Sequence, residues 1–560
     1  MAPNRRTLTI LGTSDLHGHI YPWNYFSAAP GPGGLARLAT IVRRERAANP
    51  LTLLVDNGDA IQGTPLTYLF TVLDHSQPHP VAAAMNQLGY AAMALGNHEF
   101  NFGQPALDRF IGQARFPVLS ANIRRSDHGE RFQPCALLKA GPLKVGVVGL
   151  TTPCIPSWEQ AGHLDGLRFD PPIGWARHYA AQLRRQGADV VLALLHASFD
   201  RAPEAALGPA GWLSDPAGWI DTGSLPGENP ALELAGEVGE IDAILCGHTH
   251  VDIPSAWVNG ALIVQPGAWG RQLAKITIEL ERHPEGSGPR RRWQVVAKRG
   301  ELLSADDAEP DPQMLDAVRR QHEATLAYIE SPIGATSHAF PGGPRARYQP
   351  GDLPALINTV QLEAARAAGF APDISLCAVF NDAGQLPAGP VRLRDAYSMY
   401  IYDGTIYVLE ITGAILRRAL EHNARYFRQL DPAALPADPK GVVQPNLHDY
   451  NWDIYAGIDY AYDLTQPAGR RLAELRFQGR EVRDGDRFVA ALNNYRAVGG
   501  GGFAMFREGV TLWQSETEVR ELLVDYLRRH PGLDGAGLAQ SGQQLFPDLH
   551  RHYFGATASR

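Results

Sequence analysis

Seven side chains able to hold metal ions stand just after apolar runs. They are Asp15 and His17 in DLHGH, Asp59 in DNGD, Asn97 in GNHEFN, His196 in LLHAS, and His248 with His250 in GHTH. Carboxylate, imidazole and amide oxygen together suit Mn, Fe, Co, Zn or Ni. The absence of cysteine from the set argues against a structural zinc site. Seven ligands suffice for two cations sharing one carboxylate, and Asp59 is the expected bridge. Two such ions about 3.5–4 Å apart can clamp both ends of an in-line displacement. Taken singly, each residue has a plainer reading: His196 hydrogen-bonded in a core, Asp15 a helix cap, Asp59 a turn residue. GHTH is harder to explain away, because alternate residues put both imidazoles on one side of an extended segment. Five clusters after five strands argue together for a site.

The elements that position them alternate. Residues 7–15 read as a buried strand, 35–48 as a helix, 51–55 as a strand, 80–88 as a helix and 90–95 as the strand into GNHEFN. Further strands are expected at 118–119, 144–150, 190–195 and 241–245, with helices at 174–186 and 231–238. The pattern predicts an α/β layered domain with its site along one rim of the sheet. Strands at 262–264, 275–280 and 293–298 close this domain, assigned to residues 1–303. An acidic, Pro-containing linker (304–310) and a helix (311–330) follow, and SPIG at 331–334 marks a boundary. A second, smaller α/β domain is assigned to 331–560, with helices at 353–368 and 412–428.

The 560 residues exceed one core and suggest two or three domains. Hydrophobic content of 44% and charged content of 20% are those of a globular protein. A net charge of -8 gives no basic field, so nucleic acid is not an expected partner. Cys135, Cys154, Cys246 and Cys377 are too scattered for a zinc ribbon or a disulfide framework. No apolar run reaches membrane-spanning length, so no membrane association is expected. The apolar run at 8–11 is too short for a signal sequence. The expected location is cytoplasmic as written, or periplasmic if a leader has been trimmed.

In order, DLHGH, DNGD, GNHEFN, LLHAS and GHTH resemble the calcineurin-like metallophosphatase superfamily from residue 7 to about 280. The resemblance implies a four-layered α/β sandwich and two divalent metal ions (Mn, Co, Zn, Fe or Ni). It places Asp15, His17, Asp59 and His250 on the first ion, and Asp59, Asn97, His196 and His248 on the second. His98 is implied as the group above the metals that stabilises the transition state or protonates the leaving oxygen. In related 5′-nucleotidases an Asp three residues later orients this His. Here the position is Asn101, which accepts a hydrogen bond but adds no charge. His19, Glu99, His163 and Cys154 are expected to be structural or to support the ligands.

Residues 331–550 resemble the 5′-nucleotidase C-terminal domain through YIYDGT (400–405) and NNYRAVGG (493–500). The resemblance implies that Tyr402 and Tyr495 sandwich a nucleobase, with Asn494 alongside; such stacking contributes about 1–3 kcal/mol per base. NGDAIQG (57–63), HPV (79–81), QPGAWG (265–270) and NYR (494–496) are similar to the 2′,3′-cyclic-nucleotide 2′-phosphodiesterase/3′-nucleotidase subgroup. The phosphate-contacting NGGGxR of 5′-nucleotidases is not reproduced: NDAG at 381–384 lacks the arginine. The expected function is hydrolysis of a small nucleotide by in-line attack of a metal-bound hydroxide. The alternatives are a 5′-nucleotidase/UDP-sugar hydrolase, and a catalytically silent nucleotide-binding module.

Overall fold

Seven buried residues in a row make Val190–His196 a strand covered on both faces, and the first unit is built outward from it. The computed structural model describes residues 5–202, 220–221, 224–282, 293–401, 404–445, 447 and 449–555. The chain divides into two compact units, Met1–Leu326 and Ala327–Arg560.

The first unit holds two six-stranded sheets. One runs Trp293–Ser304, Gln272–Arg282, Arg5–Thr13, Thr52–Asp56, Ala92–Ala94, Val118–Leu119. The other runs Asp252–Val258, Ala261–Pro266, Ala243–Cys246, Val190–His196, Leu143–Thr151, Cys135–Ala140. Side chains alternate across a strand. Val190, Leu192 and Leu194 therefore enter the core between the sheets, beside Ile10, Val55, Val145 and Ile276. Val191, Ala193 and Leu195 face the other way, into a core shared with helices Pro172–Arg185 and Ala231–Glu237. Helix Leu35–Ala48 packs against Thr52–Asp56 through the buried Leu38, Ile41 and Val42. The layers are helix, sheet, sheet, helix. A fully buried leucine in such a core contributes about 2–5 kcal/mol relative to alanine.

Register brings the strand ends level. Thr13 pairs with Asp56, His196 with Thr151 and Leu195 with Cys246, all in parallel ladders. Each motif named above leaves its strand at this rim.

In the second unit a five-stranded sheet runs Asp453–Ala456, Ile374–Ala378, Arg487–Asn493, Thr405–Thr412, Val510–Glu518. A four-stranded sheet runs Arg480–Glu481, Leu472–Phe477, Asp459–Asp463, Gly542–Phe546. Helix Asp352–Ala367 is buried along most of its length, which puts Asn358 and Gln361 in the core. Both donate there: Asn358 Nδ2 to Ile454 O at 3.2 Å and Gln361 Nε2 to Leu376 O at 2.9 Å.

Two expected helices are shorter than the sequence suggests. The helix at 311–330 is broken into Pro312–Ala317 and Arg319–Ile329. Val318, β-branched and fully buried, leaves helical geometry at φ −124°, ψ 17°. The helix at 412–428 runs only from Gly413 to Asn423, with Thr412 as its N-cap. Asn423 ends it because its side chain is taken by the next strand, accepting from Asp453 N–H at 2.8 Å and donating to Asp453 O at 2.9 Å.

Candidate dimetal site

Tight turns follow the level strand ends, and the backbone there is held in an uncommon shape. Asp15, His17, Asp59, His248 and His250 all have positive φ, between 46° and 75°. A non-glycine residue in this region costs of order 1–3 kcal/mol and persists where surrounding structure enforces it. The enforcement is visible. Buried Glu99 accepts N–H bonds from Asp59 and Gly96 on Oε2 (2.8 and 2.7 Å) and from Ala60 on Oε1 (2.7 Å). One carboxylate thus ties the DNGD loop to the GNHEFN turn. Gly96 lies so close that a Cβ there would sit 2.2 Å from Asp59 Oδ1 and 2.8 Å from His196 Cε1.

The ligand atoms gather in two groups, Asp15–His17–His250 and Asp59–His196–His248, each with its atoms within 4.8 Å of one another. His17 Nε2 faces His250 Nε2 at 3.0 Å, and His250 Nε2 is 3.5 Å from Asp15 Oδ1. In the second group His196 Nε2 lies 3.0 Å from Asp59 Oδ2, and His248 Nδ1 lies 2.8 Å from Asn97 Oδ1. Asp15 and Asp59 both approach His196 Nε2, at 4.0 and 3.0 Å, so the groups adjoin.

These residues fit two cations. Nitrogens 3.0 Å apart have the separation of two ligands at right angles around one ion with bonds of about 2.1 Å. His196 Nε2 is buried and, despite the nearby carboxylate, makes no hydrogen bond. The outer nitrogens are already engaged: His196 Nδ1 bonds Asn57 O at 2.7 Å, and His17 Nδ1 approaches Gln62 Oε1 at 3.1 Å. Both rings therefore aim Nε2 inward, the arrangement in which metal-bound imidazoles are held.

The charges of these groups are set by one another. Burial alone would raise both carboxyls, yet imidazoles around them reverse it: His250 and His196 lower Asp15, and His196 and His98 push Asp59 well below the usual range. Burial opposes charge on His196 as well, but Asp59 and Asp15 outweigh it and hold the ring up to about 10. His17 goes down to about 3, through burial and then the neighbouring His250. His17 is thus neutral, as a ligand must be, whereas His196 would have to release its proton to bind a cation.

His98 stands beside the ligands without joining either group. Its N–H donates to Asp59 Oδ1 at 2.8 Å, and its ring meets that of His17 edge-on at 5.2 Å. It opens a single 3-10 turn, His98–Phe100, in which side chains three residues apart eclipse. Asn101 therefore sits over it, with Oδ1 2.6 Å from His98 Nδ1. His19 points elsewhere, its Nδ1 3.1 Å from Leu16 O.

Some partners gave no signal in the sequence. Glu228 Oε1 lies 3.1 Å from His248 Nε2, and Glu159 Oε2 accepts from Asn101 Nδ2 at 2.8 Å. Both come from irregular segments with no motif of their own. Among the expected second-unit residues, Tyr402 lies outside the described residues. Tyr495 is 43% exposed, with Asn494 next to it at intermediate burial. Arg496 is buried, and it braces the glycine-rich turn by donating to Gly500 O at 2.6 Å and Tyr450 O at 2.7 Å.

Comparison with known proteins shows the family. A family profile described as calcineurin-like phosphoesterase matches residues 8–252, and one described as 5′-nucleotidase, C-terminal domain matches 332–508. The crystal structure of calcineurin-like phosphoesterase YfkN from Bacillus subtilis is 30% identical, covers 58% of this chain and 99% of its own, and has a TM-score of 0.50. The chain belongs to the calcineurin-like phosphoesterase family. A putative 5′-nucleotidase from Staphylococcus aureus is similar over both units, at 25% identity and TM-score 0.76, covering 96% of this chain and 100% of its own. The Haemophilus influenzae 2′,3′-cyclic-nucleotide 2′-phosphodiesterase/3′-nucleotidase is 28% identical over 94% of this chain and 85% of its own. The trifunctional nucleotide phosphoesterase YfkN of Bacillus subtilis is also 28% identical, and this chain spans 38% of its length. The calcineurin-like phosphoesterase family implies divalent metals, and the two ligand groups are where this member would hold them. No helix among the described residues is long and apolar enough to cross a membrane.

Proposed function

We propose that the protein hydrolyses nucleotide phosphoesters, acting as a 2′,3′-cyclic-nucleotide 2′-phosphodiesterase and 3′-nucleotidase. The observation that carries the phosphoesterase chemistry is the pair of adjoining ligand groups with one uncommitted imidazole, His98, at their edge. The substrate class is supported by the names of relatives that are 26–28% identical over most of this chain.

In this reading Asp15, His17, Asp59 and His250 hold one cation, and Asp59, Asn97, His196 and His248 the other. When bound, two such ions supply positive charge to the phosphoryl oxygens and lower the pKa of water at the site. The chain's own residues do the rest. Asn57 O and Gln62 fix the rings of His196 and His17 so that Nε2 points inward. Glu99 keeps Asp59 and the His98 turn at a constant separation. His98, with Nδ1 engaged by Asn101, has Nε2 left to give a proton to the leaving alkoxide as the P–O bond breaks. Tyr495 offers an exposed ring on which a base can stack.

The test is release of phosphate and nucleoside from 2′,3′-cyclic AMP, 3′-AMP and 5′-AMP, with Mn²⁺ and after chelation. Metal-dependent turnover of the cyclic and 3′ substrates is expected. Preference for 5′-AMP would move the protein to the 5′-nucleotidases, and no turnover at all would leave a nucleotide-binding module.

A further inference from the structure

The amide at position 101 leaves His98 without the carboxylate partner that an Asp would provide. The structure has a carboxylate one hydrogen bond further out. Asn101 Nδ2 donates to Glu159 Oε2 at 2.8 Å, while Asn101 Oδ1 lies 2.6 Å from His98 Nδ1. Glu159 is 9% exposed and held on its other oxygen, where Oε1 accepts from Gln160 N–H at 2.8 Å and faces His163 Nδ1 at 2.8 Å.

We infer that Glu159 is a positioning residue for His98, acting through Asn101. An asparagine amide has a donating end and an accepting end, and its partners decide which way it faces. A carboxylate only accepts, so Glu159 selects the NH₂ end and turns Oδ1 toward His98. An amide oxygen also only accepts, so His98 Nδ1 must carry a hydrogen. Nε2 is then the ring nitrogen that handles the mobile proton. Glu159 thus dictates the tautomer of a ring it does not touch, and its charge polarises the amide between them. The inference rests on the leaving-group role proposed for His98. In that step an attacking hydroxide oxygen bonds to phosphorus, the P–O bond to the leaving oxygen breaks with its electron pair staying on that oxygen, and the Nε2 proton joins it, while Nδ1–H stays on His98 and keeps donating to Asn101 Oδ1.

The arrangement predicts an unusual pattern of substitutions. Asn101→Asp, which restores the acid seen in related 5′-nucleotidases, would here set two carboxylates face to face. Glu159→Gln, with Oε1 still accepting from Gln160 N–H, turns its NH₂ toward the Asn101 NH₂ and favours a flipped amide with its oxygen away from His98. The double change N101D/E159Q re-creates a consistent chain, in which the introduced carboxylate would accept from both His98 and the new amide.

The experiment compares wild type, the two single variants and the double variant, each loaded with Mn²⁺ and checked for metal content and melting temperature. Two substrates separate the roles: 3′-AMP, whose alkoxide needs a proton, and p-nitrophenyl phosphate, whose phenolate does not. Glu159→Gln should lose about 10-fold in kcat on 3′-AMP, the usual scale for an outer partner, and less than about 2-fold on p-nitrophenyl phosphate. Asn101→Asp should lose at least as much and melt lower, and the double variant should recover to within about 3-fold of wild type. Equal losses on both substrates, no loss, or a double variant no better than the singles would overturn the inference alone. A wild type inactive on both substrates would overturn the functional reading, and this inference with it.

Discussion

Candidate ligands of the site are held from behind by residues that sequence alone did not always single out. Glu228 is the clearest case. With its Oε2 accepting from Leu225 N–H at 2.6 Å, its Oε1 is fixed against His248 Nε2 and leaves Nδ1 facing Asn97. Glu228→Ala should weaken binding of the second cation by about 10–100-fold while leaving the Asp15–His17–His250 group unaffected. Titration calorimetry with Mn²⁺ would read this as one weakened step of two. Two equally weakened steps would show the carboxylate to be a general structural support. The candidate ligands stand out in the sequence because each lies next to an apolar strand and uses a residue type with few reasons to be there, and six of them fall in the two groups the structure brings together. Glu159 and Glu228 do not stand out. Their contacts span 58 and 20 residues, and nothing in the local sequence of a loop records what its side chains meet in space.

Strands and helices carry a second message, which concerns pH. His79 caps helix Pro80–Leu88, with Nδ1 accepting from Val81 N–H at 3.3 Å and Nε2 2.9 Å from Thr71 Oγ1. The bond at Nδ1 needs a neutral ring, and burial, with Arg109 nearby, takes its pKa down to about 3. Below about 6.5 the unfolded chain takes up a proton that the folded ring refuses. This contribution is therefore intact above about 6.5 and is lost as pH falls from there toward about 3. Between about pH 7.5 and 5.5 wild type should lose roughly 1 kcal/mol that His79→Asn, which keeps a cap, does not lose. Urea unfolding at the two pH values measures it, and parallel losses in both proteins would refute the assignment. At this scale the sequence was readable for strands and for helices with clear apolar spacing, such as 35–48 and 80–88. It misled at Val318, where apolar spacing continues but the buried, β-branched residue leaves helical geometry.

For the molecule as a whole, the two units differ in what a cation can do for them. All the candidate ligands belong to Met1–Leu326. Chelation should therefore lower the melting transition of that unit and leave that of Ala327–Arg560 in place. A cation at about 100 times its dissociation constant contributes about 2.7 kcal/mol. Scanning calorimetry with and without EDTA should show two transitions, one of which moves; two that move together would mean that the units unfold as one. The two-domain α/β pattern was legible from the alternation of strands and helices. Of the residues expected to stack on a base, Tyr402 lies outside the described residues, and an exposed ring such as Tyr495 leaves no periodic trace.

The left-handed backbone at five of the seven ligand positions limits anyone who would retune this centre for another metal. Among residues with side chains, Asp, Asn and His tolerate such a backbone best. Exchanges within that trio keep the turn, whereas a β-branched replacement would have to remodel it. The palette for redesign was narrowed by chain geometry before coordination chemistry had any say.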